Sequence, residues 1–124
     1  MALTMPEPEA GPEPERKLYG DRATQLGFQL VDATSRTELI QDLTRAELTG
    51  EISEFHALVL RAIIGMIEER DPDFVTSYLE MAGVVANTAH EMAMIVDMRF
   101  TYDSLPMKSQ AAASHCLVWV ERLG

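Results

Sequence analysis

Apolar positions recur at helical spacing through most of the chain, and they divide it into segments. From Ser35 onward the pattern is clearest. Ser35-Arg36-Thr37-Glu38 fits a capping box, in which a serine hydroxyl and a glutamate carboxylate satisfy exposed amides of a first turn. Leu39, Ile40, Leu43, Ala46 and Leu48 then form a helical stripe, and Gly50 supplies a residue able to take the left-handed conformation that closes many helices. A second helix is predicted over Glu51 to Arg70. Ile52, Phe55, Leu58, Val59, Ala62, Ile63, Met66 and Ile67 share one broad face, while Leu60 and Ile64 lie off it. Such a helix is apolar around much of its circumference and belongs at the centre of the fold.

Asp71-Pro72-Asp73 marks the next boundary: Asp71 can cap, Pro72 occupies a position whose amide would go unused, and Asp73 complements the positive helix end. The spacing beyond it predicts one long helix to about Thr101. Along it Val75, Tyr78, Ala82, Val85, Ala89, Met92 and Val96 recur at alternating steps of three and four, the rhythm of a packing seam. Met81, Val84, Thr88, Glu91, Ile95 and Met98 form a second seam beside the first, with Asp73, Thr76, Glu80, Gly83, Asn87, His90, Met94 and Asp97 on a wetter side. Thr101 to Ser104 reads as a loop. Ser104 then caps a last helix with Pro106 in its first turn, and the alanines at 111–113 carry that helix into Cys116-Leu117-Val118-Trp119-Val120.

The beginning of the chain follows other rules. Pro6-Glu7-Pro8-Glu9 and Pro12-Glu13-Pro14-Glu15 alternate proline and glutamate, which removes backbone donors and adds mutual repulsion, and residues 1–18 are expected to be a disordered acidic tail. A secretory signal would need a basic start and an apolar run, and neither precedes Pro6, so a cytoplasmic location is expected. Residues 19–34 stay open between helix and strand, because Leu26, Phe28 and Leu30 alternate while Asp21 to Leu30 fits a short helix equally well. The expected architecture is therefore all-α: a single domain over 19–124 made of a small bundle of three to five helices behind the tail.

Composition narrows the function. The 124 residues carry 20 acidic against 10 basic side chains, a net charge of -10, which disfavours direct binding to nucleic-acid phosphates or to an anionic membrane. The stretch from Phe55 to Ile67 is too short to span a bilayer and contains His56 and Arg61. A single cysteine allows no internal disulfide and favours a reducing compartment. His56, His90 and His115 fall on three different predicted helices with no second ligand four residues away, so neither a metal site nor any other cofactor is expected. Cys116 beside His115 carries no catalytic information, since neighbours on a helix point about 100 degrees apart. The acidic pairs Glu38 with Asp42 and Glu47 with Glu51 read as solvated helix surface. Phosphate loops, nucleophile elbows and calcium loops are absent.

The remaining signal is apolar excess. There are eight methionines, with Met81, Met92, Met94 and Met98 in the predicted long helix, and one small domain has difficulty covering two apolar seams on it. The expectation is a non-enzymatic protein-protein interaction or regulatory module. It would self-associate, as a dimer, or bind another protein through Tyr78, Ala82, Val85, Ala89, Met92 and Val96. Two rivals stand beside it. An acidic inhibitor could block a basic nucleic-acid-binding surface on a target, although residues 1–34, 35–70 and 71–124 carry -3, -3 and -4, so no segment concentrates the field. A small helical-bundle enzyme would need a polar pocket built on Glu91, His90 or Arg99.

Overall fold

The computed structural model describes residues 12–105 and 115–123, with side chains from residue 21 onward. Six helices occupy the described residues: α1 (Pro12–Asp32), α2 (Thr37–Leu48), α3 (Glu54–Ile67), α4 (Pro72–Val85), α5 (Ala89–Ser104) and α6 (Cys116–Leu123). The all-helical class is as expected, with more helices than the expected three to five.

α3 is central, as its apolar circumference required. Ten consecutive-face positions from Phe55 to Met66 are buried, among them the off-face Leu60 and Ile64. It packs most extensively on α4 and also meets α1, α2 and α6. Each fully buried leucine or isoleucine here removes enough apolar surface to stabilise the fold by about 1.5–3 kcal/mol. α1 resolves the open assignment of 19–34 in favour of helix. Ala23, Leu26 and Leu30 are buried at steps of three and four, whereas Phe28, which suggested alternation, faces outward. Gly27 lets α6 approach closely: a Cβ there would lie 2.7 Å from one Val120 methyl and 2.8 Å from the other. The acidic tail expected over 1–18 falls outside the described residues up to residue 11, and residues 12–18 belong to the backbone of α1. Pro12 and Pro14 stand in the first turn, where a missing amide costs little.

Helix ends explain the remaining differences. Ser35 does not cap α2; the boundary residue is Arg36, which makes no side-chain cap. Its guanidinium instead donates to the Leu30 carbonyl at 2.7 Å and the Ala33 carbonyl at 2.9 Å, neutralising the carbonyl end of α1. Gly50 closes α2 as expected, at φ 80, with the Glu51 amide donating to the Ala46 carbonyl at 2.8 Å. Asp71 caps α4 by accepting from the Asp73 amide at 2.8 Å.

The same closing geometry ends α3 without a glycine. The Arg70 amide donates to the Gly65 carbonyl at 2.8 Å, and Glu69 takes the left-handed position at φ 56. A β-carbon is strained there. Glu69→Gly is expected to raise stability by about 0.5–1 kcal/mol, the relief of strain exceeding the entropy cost of glycine, read as a higher urea midpoint. A lowered midpoint would show that the Glu69 side chain makes a compensating contact.

The long helix expected from Asp73 to about Thr101 is two helices. Ala86 is extended, at ψ 133, and Thr88 starts α5. Thr88 Oγ1 accepts from the Glu91 amide at 3.0 Å, and the Glu91 carboxylate accepts from the Asn87 amide at 2.7 Å. This reciprocal capping competes with helix continuation and wins. α5 then runs through Ser104, so Thr101 to Ser104 is its last turn and not a loop. Ser104 Oγ donates back to the Phe100 carbonyl at 2.8 Å. The last helix expected from Ser104 through the alanines falls on 106–114, outside the described residues, until α6 begins.

Candidate functional site

The break at residues 86–88 turns α5 back along α4. Arg99 meets Glu80 at 3.4 Å, and Ile95 stands against Gly83, so the two helices form an antiparallel hairpin. The turn also splits the expected seam. Val75 and Ala82 are fully buried, and Tyr78 and Val85 pack against the core. The ring of Tyr78 stands edge-on to Phe74 at 5.1 Å. Past the break the same seam is outside. Ala89 is exposed, Met92 is 46% exposed and Val96 64%. Tyr78, Ala82 and Val85 hold the fold, and Ala89, Met92 and Val96 do not.

Phe100 extends the outer half, four residues after Val96 and 74% exposed. The seam expected from the sequence ends at Val96, although the spacing of Phe100 continues it. Residues 89, 92, 96 and 100 lie at steps of three, four and four, which places them in one stripe. The inner face of α5 carries Met94, Ile95, Met98 and Tyr102, all buried. This helix is thus apolar on two opposite sides, and among the described residues only one of them is covered.

Polar contacts along the edges fix which side is which. Asp97 accepts from Arg122 at 2.8 Å and from the Trp119 indole at 3.3 Å, tying α5 to α6. His90 Nε2 lies 3.2 Å from the Arg122 carbonyl. Arg99 is held by Glu80 on the opposite edge. A helix anchored on both edges presents the Met92, Val96 and Phe100 side chains on a rigid support, which lowers the entropy cost of binding there.

The residues proposed for an enzyme do not converge. Glu91 caps its own helix, His90 faces α6 and Arg99 faces α4. The groove beside His90, about 200 Å³ and lined also by Ala93, Met94 and Arg122, has no carboxylate among its described lining residues. Burial pushes the Cys116 thiol up to about 12, so it stays protonated at neutral pH, as a core cysteine should. Among the described residues no group of three or more histidine, cysteine or acidic side chains could hold a metal ion. No described helix is long and apolar enough to cross a membrane.

His56 has a different part. It sits in the first turn of α3, edge-on to Phe55 at 6.1 Å, with its Nδ1 buried and unpartnered. Burial lowers its pKa below the ordinary 6.5, and the Glu91 carboxylate partly opposes that shift. The unfolded chain therefore takes up the proton first as pH falls, and stability is lost below about pH 6.5. His56→Gln is expected to flatten the fall in urea midpoint between about pH 7.5 and 5.5. An unchanged slope would assign that acid sensitivity to other groups.

No family model, curated protein or solved structure matches this chain, so the reading of its function rests on the geometry of α5.

Proposed function

We propose that the protein is a non-enzymatic protein-protein interaction module whose working surface is the outer face of α5. The observation that carries this reading is the single stripe of Met92, Val96 and Phe100, each roughly half exposed or more, on a helix whose other apolar side is already used. Isolated exposed apolar residues are common, but three large ones aligned on one rigid helix make a contiguous patch, and such patches mark contact surfaces. Met66, Met94 and Met98 are buried as ordinary packing and Met81 is exposed on α4; Met92 is the one on this stripe, where its flexible thioether can adapt to a partner.

Self-association, expected from the sequence, and capture of a different chain are two forms of this one activity. The acidic-inhibitor alternative has less support. In the described residues Arg22, Arg45, Arg61, Arg99 and Arg122 each pair with a carboxylate, which interrupts any phosphate-like row of negative charge. The enzyme alternative lacks a convergent set of polar side chains.

Site-specific photo-crosslinking tests the proposal. A photoreactive residue at position 96 is expected to attach to another polypeptide, a second copy or a different protein, in cells that express the chain. The same group at Leu48, which is 82% exposed on α2, is expected not to. Equal yields from the two positions would overturn the assignment of α5 as the binding face.

A further inference from the structure

We draw no further inference here: the strongest candidate, the apolar stripe of Met92, Val96 and Phe100 on the outer face of α5, belongs to the surface already described, and with its flanking charges paired as Asp97 with Arg122 and Glu80 with Arg99, nothing in the described residues shows what covers it.

Discussion

Trp119→Ala is expected to cost about 3–5 kcal/mol, a large part of the roughly 5–15 kcal/mol that holds a domain of this size together. Trp119 is 2% exposed and is the largest side chain in the core. It lies on α6, which has eight residues and is too short to be stable by itself. What holds α6 in place is burial of Cys116, Trp119, Val120 and Leu123 against the bundle, chiefly against α1 through the gap left by Gly27. The indole also stacks on His115 at 5.6 Å and donates to Asp97, the carboxylate that ties α6 to α5. Truncation therefore removes a large apolar body and one anchor of the α5 edge together. Urea denaturation followed by far-UV circular dichroism reads the effect. Trp119→Phe should recover most of the loss, since it restores the apolar volume and forfeits only the hydrogen bond. A cost below about 1 kcal/mol for Trp119→Ala would mean that α6 is not packed as described.

The second large effect is expected at Ala82. This residue is completely buried where α4 meets the rest of the core. A glutamate there has no room and no partner: the carboxylate must either be desolvated, or be protonated at the expense of its ordinary acidity, or push α4 away from α3. Each route costs several kcal/mol, and Ala82→Glu is expected to lower stability by more than about 4 kcal/mol, enough to leave much of the chain unfolded at ambient temperature. Ala89, seven residues on and in the same sequence seam, should behave differently, because it is exposed. Ala89→Glu is expected to change stability by less than about 0.5 kcal/mol, the range usual for exposed surface.

That contrast shows how far the sequence could be read. The central place of α3 was legible, because Leu60 and Ile64 lie off the main apolar face and a helix apolar on nearly every side has to be enclosed. Gly50 and Asp71-Pro72-Asp73 were legible because their chemistry acts within a few residues. The helical state of 19–34 was not, since Phe28 is apolar but outward, and only the packing of Leu26 and Leu30 against the bundle decides between the two periods. Arg36 displaced Ser35 at the start of α2 through bonds to carbonyls of the preceding helix, a tertiary effect with no local signature. The break in the long helix did have a signature. Thr88 and Glu91 are spaced as a capping box, but they also continue the second seam, and the two readings compete until the backbone chooses. The choice moved Met94 from the wetter side into the core, and it turned Met92 and Val96 outward. Periodicity found the right residues for a contact surface in part and joined them to others that hold the fold.

The claim at the centre of this account is that the outer face of α5 is free of the fold and carries the binding role. The most direct measurement is the thermal unfolding midpoint of Val96→Glu beside the parent chain. Val96 is 64% exposed, so the two midpoints are expected to agree within about 2 °C, a difference well under 1 kcal/mol for a domain of this length. A fall of about 10 °C or more that does not change with protein concentration would contradict it, because a carboxylate at that position then destabilises the isolated chain, which requires the stripe to be packed already against the protein's own core.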